Sequence, residues 1–187
     1  MRESQVVAEQ FLDCGNWDRV RGIVLERNLL QCRTQSSLER TGREVINRLK
    51  TLQPEELDML KNGSPETRRL LLWVAVCRQY RFVREFAVEV LRERVLSLKT
   101  DLPVEEFDSF LHRKSQVDPK LEALTHTTVR KMRQVLFRIL REAGLLDEHG
   151  TLQTVTPTPQ LVDHLQTRDP GSLAVLPLLD TPLWRPE

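Results

Sequence analysis

The period of the apolar residues constrains this chain more than any other feature. Between 37 and 52, Leu38, Val45, Leu49 and Leu52 fall on one side of a 3.6-residue wheel, with Gly42 among them. Arg40, Arg43 and Asn47 lie away from that side. Between 125 and 144 the pattern returns. Val129, Met132, Leu136, Ile139, Leu140 and Ala143 form one stripe, and Thr127, Arg130, Lys131, Gln134, Arg138 and Arg141 lie opposite. Such spacing specifies amphipathic helices, because strand side chains alternate with a period of two. Phe137 falls among the polar residues, which is odd for a purely solvated face.

Helix punctuation divides the rest. Ser4 to Asp13 reads as a short amphipathic helix, and Asn16-Trp17-Asp18 opens a second that ends near Asn28. Either Ser36 or Ser37 is placed to cap the third. Pro54 with two Glu, Ser64-Pro65-Glu66, Pro103 with Glu105-Glu106, Asp118-Pro119 and Pro159 mark further starts. Residues 80 to 98 spread apolar side chains over more than half a helix circumference, as a central packing element does. LLLWVAVC, residues 70 to 77, has little polar surface and reads as buried. Gly144 suits a helix C-terminus, and the following LLDEHGTLQTVTP predicts two short strands around a turn at Glu148-His149-Gly150. The chain is thus expected to be all-α and compact, with helix-turn-helix character and a small β-hairpin wing. The expected lobes are 1–62, which is helix-turn-helix-like, and 63–187, which holds a winged-helix-like unit at 118–156 and a C-terminal tail. That tail, proline-rich and apolar, either lies against the body or binds something.

Charge points to a partner. The 187 residues carry a net charge of +1. Yet from Thr125 to Arg141 there are Arg130, Lys131, Arg133, Arg138, Arg141 and no acid. A merely solubilising surface mixes signs. A basic helix followed by a wing suits duplex DNA: the helix enters the major groove and the wing touches the backbone. Arg and Lys neutralise phosphate, Arg also pairs with guanine edges, and Thr127 and Gln134 add neutral contacts. Arg40 and Arg43 are secondary candidates, since Glu39 and Glu44 dilute their charge. The competing reading is a solvated helix whose cations pair with Glu55-Glu56-Asp58 or Glu105-Glu106-Asp108.

Other function classes find little support. The longest apolar run is far shorter than the roughly 20 residues a membrane helix needs, and the first residues have no apolar signal region, so a cytoplasmic protein without membrane contact is expected. Cys14, Cys32 and Cys77 form no paired C-x-x-C, which indicates neither disulfide nor zinc. His112, His126, His149 and His164 are scattered, and no metalloprotease, Walker A or nucleophile-elbow motif occurs. Arg33 beside Cys32 is the one hint of an activated thiol, with no His near it in sequence. The acid pairs sit at helix starts, where the macrodipole favours them. The expectation is a non-enzyme with no cofactor, metal or small-molecule substrate.

Three stretches together resemble the BrxA family of BREX phage-resistance systems. They are NLLQCRTQSSLERTGREVINRLKTL, the middle REFAVEVLRERV with EEFDSFL, and LTHTTVRKMRQVLFRILREAGLL with its hairpin. The resemblance implies an all-helical protein that binds double-stranded DNA, as an accessory to a system that methylates host DNA and blocks phage replication. It implies other BREX components as partners. It also implies a fold similar to a helical RNA-binding antitermination factor, which keeps RNA open as a ligand. It supplies no catalytic motif. A protein-interaction adaptor, acting through Phe137 or LAVLPLLDTPLW, is the other alternative.

Overall fold

A computed structural model describes residues 1–178. The described residues are mostly helical and group into two units, Met1–Gln79 and the residues from Tyr80 onward.

The first unit contains α1 (Arg2–Cys14), α2 (Trp17–Glu26), α3 (Gln35–Leu49), α4 (Pro54–Asn62) and α5 (Pro65–Gln79). Each start follows from local chemistry. The Asn16 side chain accepts from the backbone N–H groups of Asp18 and Arg19, and Pro54 sits in the first turn of α4. Thr34, rather than Ser36 or Ser37, caps α3 by accepting from the Ser37 N–H. Between α2 and α3 the chain turns through left-handed Asn28 and Gln31. The Asn28 amide clasps Cys32, donating to its carbonyl and accepting from its N–H, both at 2.9 Å. A Cβ on Gly42 would make ordinary contact with Val24 at 3.5 Å, so the packing of α3 on α2 leaves room for a methyl group at this position. Val24, Leu38, Val45, Leu49, Leu60 and Leu71 are buried in this unit. α5 packs on α3 and α4, which puts the division between units at 79/80, whereas the sequence reading set it at 62/63.

The second unit contains α6 (Arg81–Phe86), a π-helical turn (Ala87–Arg92) and α7 (Glu93–Leu96), which run on without a break as the long helix expected there, with the π turn inside it. Then come α8 (Val104–Ser115), α9 (Pro119–Glu122), α10 (His126–Glu142), α11 (Pro159–Arg168) and a 3₁₀ turn (Pro170–Val175) packed on the π turn. Phe86 and Phe110 meet edge to face at 5.3 Å, and Phe82 packs similarly on both Phe107 and Phe110. Their edge-to-face geometry suits the ring quadrupoles.

The hairpin wing is not formed. Among the described residues there are only two isolated antiparallel bridges, Leu146 with Leu152 and Asp101 with Thr151. The turn is present, with Gly150 at φ +84°. However, the Asp147 carboxylate accepts the N–H groups of His149 and Thr151 at 2.9 and 2.8 Å. The far side of the turn also bonds to another segment: Leu152 N–H donates to Thr100 and Leu102 N–H to Gly150. Asp147 N–H and Gln153 N–H do bond across the turn to Thr151 and Leu145, but the pairing stops at the single bridge of Leu146 with Leu152, and Pro157 and Pro159 remove donors just beyond.

Candidate nucleic-acid interface

α10 carries the strongest candidate. Its start is fixed by Thr125, whose side chain accepts from the Thr128 N–H. Its end is fixed by Gly144 at φ +74°, where Leu145 N–H returns to the Leu140 carbonyl. Leu136, Phe137 and Leu140 are buried. Burial of that stripe sets the rotation of the helix, and rotation decides what solvent meets.

Thr127, Arg130, Lys131, Gln134, Arg138 and Arg141 are all exposed on this helix. Phe137 corrects the sequence reading: it is 5% exposed and belongs to the core. Its position at the edge of the stripe still lets a large ring turn inward. It therefore offers no exposed anchor to a partner, and the apolar tail invoked with it extends into residues outside those described.

The cations divide by pairing. Arg133, half-buried, donates to Asp108 of α8 at 2.6 Å. Arg138 lies 3.8 Å from Glu142 one turn on, with both side chains about two-thirds exposed or more, a geometry worth little in water. Arg130, Lys131 and Arg141 have no ion pair among the described residues. The pairing suggested with the acidic segment at 105–108 thus accounts for one cation, Arg133. Asp108 was legible only as part of that acidic run, because its partner lies 25 positions away.

Arg40 and Arg43 are exposed on α3, in the first unit, and have no ion pair among the described residues. Glu39 is exposed beside them. The structure thus places the predicted residues in two groups, six on α10 and two on α3.

The ion pairs around α8 are structural. Lys114 bridges Glu85 and Glu89 at 2.9 and 2.6 Å, and Arg81 also reaches Glu85. Burial pushes the Glu85 carboxyl up, but hydrogen bonds from Lys114 and Arg81 outweigh it and hold the carboxyl below its usual range. Lys114 is raised: burial alone would lower it, and Glu89 and Glu85 prevail. Among the described residues no group of three or more His, Cys, Asp or Glu is placed to hold a metal ion. None of their helices is long and apolar enough to cross a membrane.

The fold and site define an all-helical protein of two units with a cationic helix face that holds no acid before Glu142. The chain belongs to the BrxA family, whose sequence model matches residues 1–169. It is 25% identical over 166 residues to the BREX protein BrxA of Paramagnetospirillum magneticum, covering 88% of this chain and 83% of that one. It is 28% identical over 167 residues to the BREX protein BrxA of Escherichia coli O9:H4, covering 88% and 78%. A crystal structure of an uncharacterized protein from Magnetospirillum magneticum superposes with a TM-score of 0.79 at 25% identity, covering 95% of this chain and 92% of that one.

Proposed function

We propose that this protein is a non-enzymatic accessory of a BREX phage-defence system that binds double-stranded DNA through the exposed face of α10. One observation carries the reading. Arg130, Lys131, Arg138 and Arg141 share an outward face with Thr127 and Gln134, and the helix holds no acid before Glu142. The near-neutral net charge means this is a local field, suited to one docking face rather than to indiscriminate binding. Arg side chains of a helix in the major groove contact phosphate and guanine edges, while Thr and Gln add neutral hydrogen bonds. Arg40 and Arg43 are proposed as secondary phosphate contacts. The names of the relatives support the BREX assignment, and the protein is proposed to act in the cytoplasm with other BREX components as partners. No cofactor or small-molecule substrate enters this reading.

RNA is the ligand to discriminate against. A labelled random-sequence DNA duplex, followed by fluorescence anisotropy, is competed with unlabelled duplex DNA and with single- and double-stranded RNA. Competition by duplex DNA at lower concentration than either RNA is expected. Stronger competition by RNA would reassign the ligand, and absence of any binding would refute the proposal.

A further inference from the structure

The end of α7 and the loop into α8 present three large apolar side chains to solvent within nine positions. Leu96 is 47% exposed, Leu98 78% and Val104 44%. Leu98 also adopts φ +55°, the left-handed conformation that follows a helix end and that favours Gly or Asn. A leucine there is strained and buries little, so the fold does not explain its presence.

The loop is held firmly. Arg94 is 8% exposed. It donates to the Asp101 carbonyl at 2.5 Å, to the Asp101 carboxylate at 2.7 Å and to Glu106 at 2.5 Å. The loop also shares backbone bonds with the turn at 147–151. The apolar positions are therefore carried on a preorganised segment, and a rigid segment loses little entropy on binding.

Charge around them selects the partner. Glu93, Glu105 and Glu148 are exposed, with no ion pair among the described residues. Arg94 faces two carboxylates, which leaves one negative charge in excess. Lys99 is the exposed cation in this segment. The local field is negative, opposite in sign to α10, and repels nucleic-acid phosphate.

We infer that this apolar, acid-rimmed segment is a docking surface for a basic amphipathic segment of another protein. Leucine-like side chains of the partner meet Leu96, Leu98 and Val104, and its Lys or Arg residues meet Glu93, Glu105 and Glu148. The protein would then join DNA at one face to a protein partner at another. The inference does not depend on DNA binding.

The probe is a fluorescein-labelled peptide of about eighteen residues, with leucines at helical spacing and lysines elsewhere. Its control carries glutamates in place of the lysines. Leu98→Gly is expected to weaken lysine-peptide binding by roughly tenfold or more. The same variant should raise the thermal midpoint by roughly 2 °C, because the strain is relieved. Glu105→Lys with Glu148→Lys should weaken binding and flatten its salt dependence. Equal binding of the two peptides, unchanged binding by Leu98→Gly, or a lowered midpoint in that variant would overturn the inference. So would Leu98-dependent self-association in sedimentation, which would make the surface a contact between copies of this chain.

Discussion

Arg133 of α10 donates to the Asp108 carboxylate of α8 at 2.6 Å, so one cation of the basic helix is turned toward its own unit. Its neighbours Arg130 and Lys131 remain exposed. The helix thus spends one charge on its own placement and presents the rest outward.

Removing Asp108 should release that charge. Asp108→Asn is expected to tighten duplex binding and to steepen the log–log salt slope by up to about one unit, the contribution of one added phosphate contact. The stability cost should stay within about 1 kcal/mol, since the pair is partly solvated. Anisotropy titrations in at least three salt concentrations measure the slope. Unchanged affinity would mean Arg133 lies off the DNA-facing side.

In the first unit the critical contact is Glu56 with Arg78. Arg78 holds the fully buried Glu56 carboxylate through two bonds of 2.6 and 2.8 Å and also donates to the Thr51 carbonyl. Gln53 N–H adds a bond to the same carboxylate. Arg78→Met leaves a buried charge uncompensated and should cost about 3–5 kcal/mol in urea unfolding. A loss below about 1 kcal/mol would show that Glu56 finds other compensation.

Gly42 and Gly63 should respond oppositely to alanine. At Gly42 a Cβ makes ordinary contact with Val24, and alanine in place of glycine inside a helix stabilises by up to about 1 kcal/mol. At Gly63 a Cβ collides with the Met59 backbone carbonyl and crowds Thr67. Gly63→Ala should therefore destabilise by about 1–3 kcal/mol. Paired thermal and urea unfolding decide both, and equal effects would contradict the packing described.

The acid limb of stability should depend on Glu85. Its carboxyl is lowered because Lys114 and Arg81 prevail over burial. A carboxyl whose folded pKa lies below its unfolded one contributes stability above the unfolded value, about 4.5. That contribution is lost as pH falls through the folded value. Lys114 is raised, so its contribution is present below about 10.5 and is lost as pH rises through the folded value. Glu85→Gln should flatten the fall in urea stability between about pH 5 and pH 3 relative to wild type. An unchanged acid limb would assign that loss to other carboxylates.

The helices were legible because their signals are local. The stripes of α3 and α10, the Thr125 cap, the Gly144 terminus and Pro54 at a helix start all involve residues within a turn or two of each other. The exposed side of α10 was legible for the same reason: six predicted contact residues follow directly from its period. What failed was non-local. The turn at Gly150 was readable, but its pairing with Thr100 and Leu102, about 50 positions earlier, was not. Phe137 was misplaced because one ring at the stripe's edge can turn either way, and packing alone decided it. Glu56 read as a helix-start acid, and only the fold brings Arg78 to it across 22 positions.

The most direct test of the central claim is the salt dependence of duplex binding, measured by anisotropy for wild type and for Arg130→Glu/Lys131→Glu/Arg138→Glu. These side chains are exposed, so the triple variant should keep its circular dichroism and melting temperature. With four to six phosphate contacts, wild type should show a log–log slope of roughly −4 to −5, and the folded triple variant should show no measurable binding. A flat wild-type response, or a triple variant that binds as wild type does, would contradict the assignment of α10 as the DNA-binding face.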